Sequence, residues 1–289
     1  MTTTTPFDLA SAPADACAAL DAYVLALADD ALLQGHRDSE WTGLGPILEE
    51  DIAFSSMAQD EIGHALVWYT LRAEHLGAAS PDEQAFRRDA AGWRNARLVE
   101  LPRGDYATSL IRRTLFDIAK AIQYDSLRHS AWPPLAVAAG KLRQEKKYHL
   151  LHNQAYVRRL GTAGADSHDR LQSALDALFP AALGLFEPTA GEAALTALGV
   201  VTPSAALAAV WLGAVRELLA QSGLSAPIAS VAALGGDGDG AGAGAGAGDV
   251  LRATVAPDVG GRRGEHTDDL DAMLDAMQSL YRSDPEATW

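Results

Sequence analysis

The stretch QDEIGHALVWYTLRAEHLG, Gln59–Gly77, spaces its apolar residues by three and four without strict alternation, the pattern of a helix and not of a strand. The run begins near Pro46, a favoured first-turn residue, and at roughly 30 residues it has bundle length. The same period extends to both sides. A first helix is predicted from about Ala14 to Gly35, with Leu20, Val24, Leu27 and Ala31 on one stripe and Gly35 as its stop. Ser80-Pro81-Asp82-Glu83 reads as a cap, a proline and an acidic first turn for a short helix to about Asn95. A third long helix is predicted over Tyr106 to Arg128. After the break at Pro133-Pro134 a fourth runs to about Leu160, before Gly161. Four long helices with short connections predict an all-α four-helix bundle, with further helices near 166–178, 203–222 and 267–281 packed outside it. We read residues 1–289 as one domain: a bundle core over about 14–160, peripheral helices over about 166–289, and a flexible Gly/Ala loop at Gly235–Asp249.

Composition narrows the function classes. The net charge of −15, from 38 acidic and 23 basic residues, would repel nucleic acid and an anionic membrane surface. Cys17 is the single cysteine, so no internal disulfide forms, which suits the reducing cytoplasm. Met1–Ala19 has no basic segment ahead of its apolar residues, as a secretory signal would need. The longest clean apolar stretch, Ala205–Val215, spans 11 residues, where a membrane helix needs about 20. A cytoplasmic protein is therefore expected.

Within the second helix, Glu61 and His64 form Glu-x-x-His, whose two side chains project from one helix face. A di-iron carboxylate bundle needs that pair on two helices and a carboxylate on each of the other two. The third helix offers Asp117 in the apolar run Leu110, Ile111, Leu115, Phe116, Ile118, Ile122, where an unpaired carboxylate would be costly. The fourth offers His149 on its inward stripe, but Lys146 stands three residues earlier, where a second Glu-x-x-His requires a carboxylate. Glu145 is adjacent, one residue and about 100° of rotation off that face. The first helix has Asp29 and Asp30 beside Ala31 and no glutamate between Asp21 and Glu40. A lysine ammonium cannot bind iron, yet it can neutralise buried carboxylates. Glu61, His64, Asp117, Lys146 and His149 are thus read either as a metal pocket that has lost its metal or as a polar core cluster.

These residues carry a resemblance. Gln59–Gly77 closely resembles the metal-ligand helix of the catalytic A subunit in the phenylacetic acid degradation family, which builds phenylacetyl-CoA 1,2-epoxidase. The rest of the chain looks like the sister C subunits. SEWTGLGPILEEDIAF (Ser39–Phe54), LVELPRGDYATSLIRRTLFD (Leu98–Asp117) and EKKYHL (Glu145–Leu150) follow in the order that family shows. The run GGRRGEHTDDLDAMLDAMQSLYRSDPEATW, Gly260–Trp289, is similar to its closing signature. The resemblance implies a ferritin-like bundle and a structural, non-catalytic subunit that braces the di-iron A subunit. It places the A-type ligand positions on Ala31, Glu61, His64, Asp117, Lys146 and His149, two of which cannot ligate metal. It further implies no cofactor on this chain, iron in the A subunit, and NADPH, flavin and iron-sulfur in a reductase subunit.

Two other readings stand beside it. One is an active ferritin-like di-iron oxidase that uses Asp30 and Glu145 as displaced ligands; the other is a generic ferritin-like scaffold. His36, His75, His129, His152, His168 and His266 are expected at the surface or at caps, and Arg262-Arg263 in a solvated Gly-rich turn.

Overall fold

A computed structural model of the chain describes residues 7–229 and 254–284. Its helices are α1 (Ala14–Ser39), α2 (Leu48–His75), α3 (Pro81–Phe86), α4 (Tyr106–Leu127), α5 (Pro133–Ala163), α6 (Ala165–Leu183), α7 (Glu192–Ala197), α8 (Ser204–Gln221) and α9 (Asp268–Ser283). The fold is the expected all-α, ferritin-like bundle with additional C-terminal helices. Among the described residues the extended structure is one parallel pair of two-residue strands, Ile228–Ala229 against Thr254–Val255. The predicted Gly/Ala loop, Gly235–Asp249, lies outside the described residues.

Helix starts follow local chemistry. Pro133 opens α5 in its first turn, where the missing N–H costs nothing. Asp105 accepts from Thr108 N at 2.8 Å to cap α4. Ser80 and Glu83 form a reciprocal capping box before α3. This last helix is shorter than its sequence suggests, ending at Phe86 instead of near Asn95. The backbone amides beyond it are spent elsewhere: Arg94 N donates to Asp29 Oδ2 and Ala96 N to Asp30 Oδ1, each at 2.8 Å. A helix there would take these two amides away from the buried carboxylates.

In the bundle, α1 packs along α2 and α4 along α5, while α2 meets α5. Helix α6 lies against α4 and α5, and α8 against α4. The apolar core is continuous from Ala19 and Leu20 on α1 to Met273 and Leu274 on α9. Trp211 of α8, fully buried, lies tilted against the Phe179 and Phe186 rings and donates Nε1–H to Leu115 O at 3.0 Å. That bond ties an outer helix to the centre of α4.

Two glycines read as helix stops lie inside helices. Gly35 is within α1, and a Cβ there would stand 3.0 Å from Ala58 O and 3.0 Å from the Glu61 Cβ. Gly161 is within α5, and a Cβ would meet Ser222 O at 2.3 Å. Both serve close helix approach, not termination. Gly161→Ala is therefore expected to cost about 1–3 kcal/mol through overpacking. Gly63→Ala, with nothing within 4 Å, should gain up to about 1 kcal/mol of helix propensity. Urea unfolding of the two variants checks the contrast, which fails if both shift in the same direction.

Candidate functional site: a buried ion cluster between four helices

The sequence-predicted residues converge. Glu61 and His64 come from α2, Asp117 from α4, and Lys146 and His149 from α5; all five are buried. Lys146 Nζ donates to Asp117 Oδ1 at 2.7 Å and also to Glu61 Oε1. The spacing explains this convergence. On α2 and on α5 the pairs 61/64 and 146/149 are three residues apart, so each pair leaves its helix on one face.

Arg113, Asp38, Asn153 and Asp60 escape the sequence reading. Arg113, one turn before Asp117 on α4, lies at the centre of the cluster. Its Nε donates to Asp117 Oδ2 at 2.9 Å, Nη2 to Glu61 Oε1 at 2.8 Å, and Nη1 to Asp38 Oδ2. Nη2 also meets His149 Nδ1 at 2.7 Å. Asp38, on the last turn of α1, extends the cluster to the fourth helix, and Gln34 donates to its Oδ1 at 2.9 Å. The i,i+4 spacing of Arg113 and Asp117 is the one signal that could have found the arginine. Asn153 completes Asp117 with a 2.7 Å bond to Oδ2.

The imidazoles face outward from this centre. His149 Nε2 pairs with Asp60 Oδ2 at 2.9 Å, and His64 Nε2 with Glu145 Oε2 at 2.6 Å. The Asp60 and Glu145 side chains are 40% and 52% exposed, so they form the rim of the cluster. Glu145 thus reaches His64 from beside the inward face, which helix rotation alone did not suggest. His64 Nδ1 stands 3.4 Å from Glu61 Oε2 without hydrogen-bond geometry.

Charge counting explains the arrangement. Asp38, Glu61 and Asp117 carry three negative charges; Arg113 and Lys146 carry two positive ones. Burial alone would raise the pKa of Glu61 and Asp117. For Glu61 the Lys146 and Arg113 cations override it, and for Asp117 the same two do, so both carboxyls are held well below the usual range. Burial opposes the charge on Arg113 too, but Asp117, Asp38 and Glu61 hold it protonated. Asp38 goes the other way: burial raises it, and Arg113 only partly offsets that. The one surplus negative charge thus rests on the carboxyl that most readily takes a proton.

Donor atoms of Glu61, Asp117 and His149 lie within 4.8 Å of one another, close enough to share one cation. That place is held by the Lys146 ammonium and the Arg113 guanidinium, which hydrogen-bond the same atoms. At the α1 position of the A-type ligand set stands the fully buried methyl group of Ala31. The residues present do not fit a two-iron centre, which needs those donors free and more anionic oxygens around them.

A second buried network fixes the other aspartates of α1. Asp30 accepts from Lys120 Nζ at 2.7 Å and from both Nη atoms of Arg262 at 2.9 and 2.8 Å. Burial would raise its pKa, but Arg262 and Lys120 lower it overall. Asp30 is therefore engaged by Lys120 and Arg262. Arg262 is buried, contrary to the solvated turn expected for it; Arg263 does remain at the surface. His266 also departs from expectation: its side chain is 4% exposed and pairs with Glu100 Oε2 at 2.9 Å.

A family model described as Phenylacetic acid catabolic protein matches residues 4–240. The chain belongs to this family. One relative, the C subunit of 1,2-phenylacetyl-CoA epoxidase from Escherichia coli (strain K12), is 29% identical over 270 residues. The alignment covers 93% of this chain and 99% of that relative. Among the described residues of this family member, no helix is long and apolar enough to cross a membrane.

Proposed function

We propose that the chain is the structural, non-catalytic C-type subunit of a phenylacetyl-CoA 1,2-epoxidase, acting in aerobic phenylacetate degradation in the cytoplasm. Its role is to brace the di-iron A subunit within a heteromeric oxygenase, folded as one domain over its whole length. The complex uses O₂ and electrons from NADPH, delivered through the flavin and iron-sulfur groups of a reductase subunit, to form the ring epoxide. This chain supplies no cofactor to that chemistry.

The observation that carries the reading is the lysine and arginine pair on Glu61, Asp117 and His149. In the resembled A subunit those positions belong to the metal ligands; here the cations supply the positive charge that the buried carboxylates need. Family membership and the epoxidase relative supply the substrate class. The independent oxidase reading loses Asp30 to Arg262 and Lys120.

Isolated chain mixed with the reductase, NADPH and phenylacetyl-CoA is expected to form no epoxide, while the complete complex does. Product formation by this chain and the reductase alone, at the rate of the complete complex, would overturn the assignment.

A further inference from the structure

Residues 258–267 form a strap just before α9, and three buried carboxylates take partners from it. Asp30 holds both Nη atoms of Arg262. Glu187 Oε2 accepts from the backbone amides of Gly260 at 2.7 Å and Arg262 at 3.3 Å, and its Oε1 accepts from Arg263. Glu100 Oε1 accepts from Thr267 N at 3.0 Å, and its Oε2 faces His266 Nδ1 at 2.9 Å. The strap lies tight on the chain beneath it, since a Cβ on Gly261 would stand 2.0 Å from Asn95 O. Guanidinium and backbone N–H groups keep their protons through neutral pH, so of these strap donors only the imidazole of His266 changes its charge there.

The surroundings of His266 call for a proton on both ring nitrogens. Nδ1 faces the Glu100 carboxylate, and Nε2 faces the Trp93 carbonyl oxygen at 3.2 Å. Both are acceptors, whereas a neutral imidazole offers one donor and one acceptor. Placing the proton on Glu100 instead is disfavoured, because that carboxylate also accepts from Thr267 N and, at 3.2 Å, from Asn95 Nδ2. Other charges nearby act in both directions. Arg94 donates to the same Trp93 oxygen at 2.6 Å, and Arg37 donates to the Glu100 backbone carbonyl at 2.5 Å; both oppose a further cation. Asp268 and Asp269 in the first turn of α9 favour one. Glu265 is paired with Arg263 at 3.2 Å, and Arg97 with Asp258 at 2.6 Å. Glu100 is the carboxylate in contact with the ring, and it is fully buried, where a charge pair is screened least.

We propose that His266 is a proton-operated clasp, which in its doubly protonated form bridges Glu100 and the Trp93 carbonyl and holds the strap closed. When it loses a proton, one ring nitrogen turns a lone pair toward an acceptor, and the strap loosens on that side. The contribution of the clasp is complete at the acid side of the His266 titration and is lost as pH rises through it. The neighbouring Thr267 amide, bonded to the same carboxylate, loosens with it.

The test uses the full chain with nitrogen-15 in its histidines and follows two readouts from about pH 5.5 to about pH 9. One is the proton occupancy of both His266 ring nitrogens by NMR, assigned through space to Thr267. The other is amide hydrogen exchange over residues 258–267, divided by the intrinsic rate at each pH. Both nitrogens are expected to carry protons at the acid end. Strap protection should then fall by about tenfold, with the same midpoint as loss of the second proton. In His266→Gln that step should vanish, and in Glu100→Gln it should move to lower pH. A ring nitrogen that stays unprotonated at the acid end overturns the clasp. So does protection that is flat through the His266 titration, or a step that persists unchanged in His266→Gln. The two parent readouts decide the matter even where a variant fails to fold.

Discussion

Lys146→Met is expected to lower the stability of the chain by about 3–5 kcal/mol, the cost of removing one partner from a buried ion pair. Methionine nearly keeps the volume and length of lysine, so packing loss contributes little. What is lost is the ammonium on Glu61 and Asp117, leaving three carboxylates to one arginine in a place without solvent. Thermal unfolding should show a fall in Tm of about 10 °C. The effect should depend on pH in a defined direction. Burial works against ionised Glu61 and Asp117, yet Lys146 and Arg113 depress both below the ordinary values of 4.5 and 3.8. Their pairing thus stabilises the fold above those values and is lost as pH falls through the lower folded ones. The Tm gap between the parent and Lys146→Met should be full at neutral pH and narrow below about pH 4. A gap that widens in acid, or an unchanged Tm at pH 7, contradicts the account.

Arg113→Met is expected to be more damaging still, at about 5 kcal/mol. One planar guanidinium serves Asp38, Glu61 and Asp117, and joins α1, α2 and α4 through them. Lysine cannot reproduce this, because a point ammonium lacks the fork of donors. Arg113→Lys should therefore fall between the parent and Arg113→Met in urea midpoint. Equal stability of the parent and Arg113→Met would show that the cluster contributes nothing to the fold.

The four long helices, their inward faces and the bundle class were legible in the sequence because the period of apolar residues is sustained over four long segments, whereas the six-residue α7 (Glu192–Ala197) is too short to show a period. Glu61, His64, Asp117, Lys146 and His149 were legible for the same reason: fixed spacing on a helix fixes direction. Other features depend on tertiary contact. Gly35 and Gly161 have the composition of helix ends, and only Ala58 and Ser222 across the packing interface show why the helix continues. Arg112 and Arg113 are neighbours of one type in one apolar run. Arg113 lies among three carboxylates, whereas Arg112 is pushed down to about 10 by burial and donates to the Pro102 and Arg103 carbonyls. Periodicity could not separate them. Arg262 looked like a solvated turn because its partner, Asp30, is more than two hundred residues away in sequence.

The metal content of the purified chain, expressed with added iron and manganese, tests the central claim most directly. The account predicts far less than one metal ion per chain, and a Tm that neither chelator nor added iron(II) changes, because Lys146 and Arg113 already supply the charge a metal would bring. Two iron ions per chain, with a Tm that falls when chelator removes them, would contradict it.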